Sequence, residues 1–265
     1  MSPDSDPQSF PAAVVLAALA AASAGDWRRF ASLVDEAAAR ELRDGYLARF
    51  ARVPTVEEFA AGIEGIPPED FAEHVERHRD VLAAMIEREY VAPRREFEAN
   101  IARDGWHGLA EVRTLAALMA LPPADFVAAY LISEDRIERH RRLAAEAYAT
   151  AGRPLPAEYT GARRPRRFVV LREAPAEPLA GVSDVEVDFQ EVNAGGDAVG
   201  PELTWRAHAD AAGRWGVVLT ADLIWGELRN DLRGREVAWL MDDPVVSQYA
   251  LRREYHARFF PRRAG

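Results

Sequence analysis

Two stretches of alternating sequence decide the fold class: residues 184–192 read DVEVDFQEV and residues 202–209 read ELTWRAHA. Apolar and polar residues alternate along both stretches, which is the period of a β-strand with one buried face. Glycine-containing segments, NAGGD at 193–197 and DAAG at 210–213, follow the two stretches and predict tight turns. The pattern therefore predicts an antiparallel meander.

Two further stretches extend this sheet to about four strands: RFVVL at 167–171 and RWGVVLTADLI at 214–224. The alternation gives the sheet one apolar face, which comprises Val185, Val187, Phe189, Leu203, Trp205, Trp215, Val217 and Leu219. The opposite face is polar and comprises Glu186, Asp188, Gln190, Thr204, Arg206, His208, Thr220 and Asp222. We expect the first face to be core and the second to be wet or covered by a partner.

The part of the chain before the sheet has the period of helices. We expect a single α+β domain over residues 11–226, with a curved antiparallel sheet covered by helices and a helix-rich N-terminal half. In chain order the segments are a flexible tail (1–10), leading helices (11–52), a helical insertion (55–150), the antiparallel sheet (163–226) and a C-terminal helical tail (227–265). Asp26 and Asp35 stand at N-cap positions.

Two near-repeats, IPPEDF at 66–71 and LPPADF at 121–126, predict helix starts. In the first, Pro67 is the N-cap and Pro68 the first helical residue, a position where proline needs no amide partner. The apolar residues that bracket each motif stand at the positions of a hydrophobic staple, Ile66 with Phe71 and Leu121 with Phe126. A duplication is the alternative explanation. However, a second pair of similar segments, VERHR at 75–79 and IERHR at 137–141, is separated by 62 residues, whereas the proline motifs are separated by 55.

The composition excludes several classes of chemistry. The chain has no cysteine, and all of its 33 basic residues are arginine. Thiol nucleophiles, cysteine-ligated metals, Schiff-base lysines and the lysine of a P-loop are therefore absent. The formal net charge of −10 argues against a nucleic-acid partner. We expect a cytoplasmic protein without a cofactor.

The stretch AAVVLAALAAASA at 12–24 has the length of a signal-peptide core. Asp4 and Asp6 precede it, whereas a signal peptide carries positive charge there. We therefore predict a buried helix at this position. No apolar run is long enough to span a bilayer, so no membrane partner is expected.

The polar sheet face holds the candidate catalytic residues Asp188, His208 and Asp222. These residues lie on adjacent predicted strands, and they would form an acid–base cluster if their face were sheltered. The alternative is a wet face with cross-strand ion pairs, Arg206 included, or a dimer contact.

Other candidates lie in the helical segment and on the apolar sheet face. His74 and His78 share a helix face at i and i+4 and are metal-ligand candidates, although a solvated face is the simpler interpretation and no metal is expected. In DGWHG at 104–108, Trp106 and His107 stand between glycines, as in a ligand-binding loop. The alternative is a turn whose tryptophan fills the core. Trp205 and Trp215 are further ligand-binding candidates.

The order of these parts resembles the nuclear transport factor 2-like, or SnoaL-like, superfamily. The matching stretches are AGDWRRFASLV at 24–34 and GRWGVVL at 213–219. LAALMALPPADFVAAYL at 115–131 looks like a segment of uncharacterised bacterial proteins with this layout and a large helical insertion. The resemblance implies helices packed on a curved antiparallel sheet. It implies no particular activity, because that superfamily includes isomerases, dehydratases, small-molecule binders and association domains.

These observations favour a non-catalytic module that binds an apolar small molecule or associates with another protein. One alternative is a cofactor-free SnoaL-like isomerase or hydratase that uses Asp and His for acid–base chemistry. The other is a scaffold that forms a homodimer through the polar sheet face.

Overall fold

The structure is a computed structural model, and it describes residues 6–63, 67–107, 109–160, 166–176, 184–219 and 243–259. The chain divides into two compact units. We call residues 1–39 together with 127–265 the sheet unit, and residues 40–126 the helical unit.

Helices account for most of the elements. In chain order they are α1 (Pro11–Ala24), α2 (Trp27–Ala31), α3 (Glu36–Ala51), α4 (Val56–Ala61), α5 (Phe71–Ile86), α6 (Ala92–Asp104), α7 (Leu115–Met119), α8 (Pro123–Glu134), α9 (Arg136–Thr150), α10 (Ala157–Thr160) and α11 (Pro244–Phe259). A π turn, Glu87–Val91, joins α5 to α6 just before Pro93, a residue that has no amide hydrogen to donate. Within the described ranges, none of these helices has the length and apolarity needed to cross a membrane.

The sheet contains strands β1 (Arg167–Pro175), β2 (Asp184–Val192), β3 (Ala198–Ala209) and β4 (Trp215–Val217). Neighbouring strands pair antiparallel in the order β1-β2-β3-β4. Gly196 and Gly213 take positive φ in the two predicted turns. The α+β class and the four-stranded antiparallel meander are therefore confirmed. The predicted continuation of the last strand, 220–224, lies outside the described residues.

Helix α1 covers the apolar face of the sheet. It contacts all four strands, and its Val14, Val15 and Leu19 are fully buried. The predicted buried helix is confirmed at this position. The strand residues buried on the same face are Val187, Phe189, Trp205, Ala207 and Val217.

A short extended segment pairs with the outer edge of β4. The Val217 amide donates to the Leu33 carbonyl at 2.8 Å, and the Asp35 amide donates to the Val217 carbonyl at 2.8 Å. Gly216 permits this approach, because a Cβ atom there would lie 2.7 Å from the Asp35 nitrogen. The Asp35 carboxylate accepts from the Ala38 amide at the start of α3, which confirms the predicted N-cap. Asp26 caps α2 in the same way, by accepting from the Arg29 amide.

The proline motifs begin helices as predicted. Pro67 is the N-cap of a 3-10 turn at Pro68–Asp70 that leads directly into α5, and Pro123 is the first residue of α8. Ile66, half of one predicted staple, lies outside the described residues. In the helical unit α4 packs against α5 through a small core of Ala60, Val75 and Leu82.

Candidate functional site

The polar face of the sheet is a ladder of cross-strand pairs. Asp184, Glu186 and Asp188 of β2 stand directly opposite His208, Arg206 and Thr204 of β3. The Glu186 carboxylate accepts from the Arg206 guanidinium at 3.2 Å. Each of these three β2 carboxylates therefore has a donor or a histidine as its direct neighbour.

Asp188 is the most buried of these carboxylates, at 4% exposure. Its two oxygens accept from the Thr204 hydroxyl and the Arg172 Nε, both at 2.6 Å. These hydrogen bonds, that of Thr204 first, hold the pKa of Asp188 below its usual value despite the opposing effect of burial. The carboxylate is thus ionised and engaged by both neighbouring strands.

The partner Arg172 is brought to this face by a β-bulge. Val170 pairs with Phe189 on the apolar face, and Arg172 pairs with the next residue, Asp188, so Leu171 is an extra residue. Strict alternation would place Arg172 on the same side as Val170. Sequence periodicity therefore could not identify Arg172 as the partner of Asp188.

Of the predicted acid–base cluster, the two described residues, Asp188 and His208, are not direct neighbours. The Nδ1 of His208 lies 2.9 Å from Asp184, and both side chains are largely buried. Asp188 is four residues along β2 from Asp184, a distance of roughly 13 Å at the rise of a strand. Asp222 lies outside the described residues. His208 is thus paired with Asp184, which was not among the predicted site residues.

Replacing Asp188 with asparagine is expected to remove an acid-sensitive part of the stability. The lowered pKa of Asp188 means that its contribution is complete above the unfolded-state pKa, near 4, and is lost as pH falls through the folded-state pKa. We expect Asp188→Asn to cost about 1–2 kcal/mol at pH 7, because the charged acceptor is lost. Urea unfolding from pH 7 to pH 3 tests this. The difference from the wild type should shrink below about pH 4, and a difference independent of pH would contradict the assignment.

The two candidate tryptophans of the sheet lie in different surroundings. Trp205 is 2% exposed, and its ring meets Phe30 of α2 and Phe189 of β2 edge to face, with centroids 6.3 and 5.4 Å apart. Trp215 is half-buried at the start of β4, opposite Ala209. Trp205 is therefore part of the core on the apolar sheet face.

Residues 105–107 and 109–113 follow α6, and we call them the Trp106 loop. The Gly105 backbone has φ 77° and ψ 172°, a conformation that side chains exclude, and His107 has φ 47°. The Trp106 amide donates to the Val112 carbonyl at 3.0 Å. The Arg113 guanidinium closes the segment by donating to the carbonyls of Ala110 and Ala102. The predicted turn is confirmed.

The Trp106 loop places an indole in a group of aromatic rings. Trp106 is 2% exposed and stacks on Phe126 with ring centroids 4.6 Å apart, while Tyr46 meets it edge to face at 6.0 Å. The aromatic cluster comprises Tyr46, Phe50, Phe97, Trp106 and Phe126. Among the described residues, no acceptor lies within hydrogen-bonding distance of the buried Trp106 Nε1. Such a group is uncommon, because an unmade buried hydrogen bond is costly.

The structure brings His74 and His78 together on α5. Their ring centroids lie 4.5 Å apart, and both side chains are half-buried. Within the described ranges, no group of three or more histidine and acidic side chains has the arrangement of a metal site. The two imidazoles are thus neighbours without a third protein ligand from the described part of the same chain.

Two carboxylates, Asp135 and Asp243, make contacts that were not predicted from the sequence. Asp135 is 2% exposed and accepts from the Trp27 indole at 2.7 Å. Asp243 accepts from the hydroxyls of Tyr148 and Tyr159 at 2.8 and 2.7 Å. Burial tends to raise the pKa of Asp243, but these hydroxyls and the first amides of α11 hold it below its usual value. The contacting residues are 84 to 108 positions apart in the chain, a separation that local patterns do not bridge.

Comparison with known proteins gives no assignment. No family model matches the chain, and neither a curated protein nor a solved structure matches it. The likeness to the nuclear transport factor 2-like superfamily therefore stays an expectation from the sequence.

Proposed function

We propose that the protein is a non-catalytic small-molecule-binding protein whose ligand is held at the Trp106 loop of the helical unit. The ligand class is a small, flat and mainly apolar molecule with one hydrogen-bond acceptor. The observation that carries the proposal is the buried Trp106 Nε1–H, which has no acceptor among the described residues.

The indole donor supports a ligand with an acceptor because of its environment. A buried polar group usually has a partner, and an unpaired one suggests a water or a ligand that completes it. The rings of Tyr46 and Phe126 that contact Trp106 make this environment apolar and aromatic, which favours a flat molecule. An acceptor at the edge of such a molecule would pair with the indole.

The backbone of the Trp106 loop gives independent support. Gly105 and His107 flank Trp106 and both have positive φ, which is costly for a histidine. A Cβ atom on Gly105 would lie 2.5 Å from the Leu109 carbonyl oxygen. Strained conformations of this kind cluster at binding sites, where they hold a side chain in a fixed direction.

Native mass spectrometry tests this proposal with Trp106→Phe as the matched variant. Phenylalanine keeps an aromatic ring and removes only the donor and part of the ring system. After incubation with a small-molecule extract of cells, we expect a mass excess on the wild type that the variant lacks. Circular dichroism establishes that the variant is folded. No excess on the wild type, or the same excess on both proteins, would contradict the proposal.

The acid–base alternative has less support from the described residues. Both carboxylate oxygens of Asp188 already accept hydrogen bonds, from Thr204 and Arg172. The pKa of Asp188 is lowered, which does not suit a general acid. The pairing of His208 with Asp184 is the one observation that favours catalysis, because a carboxylate fixes the orientation of an imidazole. A homodimer through the polar sheet face also has less support, since Asp184, Glu186 and Asp188, the acids of β2 on that face, are already paired within the chain.

A further inference from the structure

Two histidines on α5 form a pair that neither the core nor the Trp106 loop uses. His74 and His78 stand one helical turn apart, and their rings are 4.5 Å apart at an angle of 49°. Neither imidazole has a hydrogen-bond partner among the described residues, and both are half-buried. Both rings therefore have nitrogen lone pairs available on the same side of the helix.

We propose that His74 and His78 chelate one borderline divalent cation of the Zn²⁺ or Cu²⁺ class. Two imidazoles that share one tetrahedral zinc, with metal–nitrogen bonds of about 2 Å, place their ring centres roughly 5 Å apart. The observed 4.5 Å is close to that separation, so a small rotation of the rings suffices. Water molecules fill the remaining coordination positions.

The charged neighbours of the pair favour imidazole ligation over carboxylate ligation. Glu73 is paired with Arg77, and Glu76 is paired with Arg79, whose guanidinium also contacts Glu57. These carboxylates are already engaged by guanidinium groups, which leaves the two imidazoles as the ligands. Imidazole suits Zn²⁺ and Cu²⁺, whereas Mg²⁺ prefers oxygen ligands, so the site discriminates by ligand type.

Calorimetric titration of the tag-free full chain with ZnCl₂, CuCl₂ and MgCl₂ tests the site. We expect one Zn²⁺ or Cu²⁺ per chain, with Cu²⁺ bound more tightly, and no binding of Mg²⁺. His74→Ala and His78→Ala should each weaken Zn²⁺ binding more than about tenfold, because a single imidazole cannot chelate.

A matched control separates chelation from simple histidine content. The double variant His78→Ala with Ala83→His keeps the count of six histidines but places the second imidazole nine residues from His74, on the opposite side of the helix, and leaves every ion pair of the neighbouring carboxylates in place. This variant should bind as weakly as His78→Ala, and its circular dichroism should match that of the wild type. Absence of Zn²⁺ binding by the wild type, or equal binding by all of these folded proteins, would overturn the proposal.

Discussion

Replacing Gly105 with alanine is expected to destabilise the helical unit by about 3 kcal/mol or more. The φ of 77° and ψ of 172° at this residue belong to a region that only glycine populates readily. A Cβ atom would also lie 2.5 Å from the Leu109 carbonyl oxygen and 3.0 Å from the Ala110 Cα. Both neighbours are backbone atoms, so the Trp106 loop must move to accommodate the methyl group.

Gly45 provides the control for that substitution. It lies inside α3 of the same unit, and a Cβ atom there meets nothing within 4 Å. Alanine at this position should stabilise the chain by up to about 1 kcal/mol, because glycine is a poor helix former. Urea unfolding of the two variants gives the comparison. If Gly105→Ala were as stable as the wild type, the described backbone of the Trp106 loop would be wrong.

Replacing Trp205 with alanine is expected to cost about 3–5 kcal/mol, the usual range for a large aromatic residue in a core. The ring is almost completely buried between Phe30 and Phe189, so its removal leaves a cavity bounded by residues of three elements. A loss of this size is a large part of the stability of an ordinary domain.

Trp215 is the matched control for Trp205. The sequence places both tryptophans on the apolar sheet face, but Trp215 is only half-buried at the short strand β4. We expect Trp215→Ala to cost clearly less than Trp205→Ala in the same denaturation experiment, because less apolar surface returns to water. Equal losses would contradict the core position of Trp205.

The sheet could be predicted from the sequence because a strand with one buried face has a visible period. The alternation in 184–192 and 202–209 correctly placed Phe189 and Trp205 on the face that α1 covers. The glycines at 196 and 213 marked the turns. These features are local, and the physical cause of each lies within a few residues of it.

The contacts of the candidate sites could not be predicted in the same way. The pair of Arg172 with Asp188 depends on one extra residue in β1, and no feature of the sequence RFVVLRE at 167–173 predicts that bulge. His208 was grouped with Asp188 because both lie on the polar face, but register decides which acid is opposite, and it is Asp184. The contact of Trp27 with Asp135 spans 108 positions. Register and long-range packing are properties of the whole fold.

The environment of Trp106 could be predicted from the sequence only in part. Gly105 in DGWHG correctly indicated the end of a helix. That the indole is buried without an acceptor from the described part of the chain depends on rings from distant parts of the helical unit, including Tyr46 and Phe126. Trp106 could therefore be selected from the sequence as a candidate residue, whereas the missing acceptor of its indole N–H could not be predicted.

The most direct test of a ligand at Trp106 compares two probes that differ in one acceptor. Quinoline has a ring nitrogen that accepts a hydrogen bond, and naphthalene has the same two-ring shape without it. Dissociation constants of both probes are measured by NMR titration with the wild type and with Trp106→Phe. The ratio of the two constants is taken for each protein, and comparing the ratio of the wild type with that of the variant cancels the difference in apolar affinity between the probes.

If the Trp106 indole donates to the ligand, the preference for quinoline over naphthalene should fall about fivefold in Trp106→Phe, the equivalent of one hydrogen bond of about 1 kcal/mol. The indole signal of Trp106 should also shift on addition of quinoline to the wild type. An unchanged ratio, or failure of both probes to bind the wild type, would contradict a ligand site at the Trp106 loop.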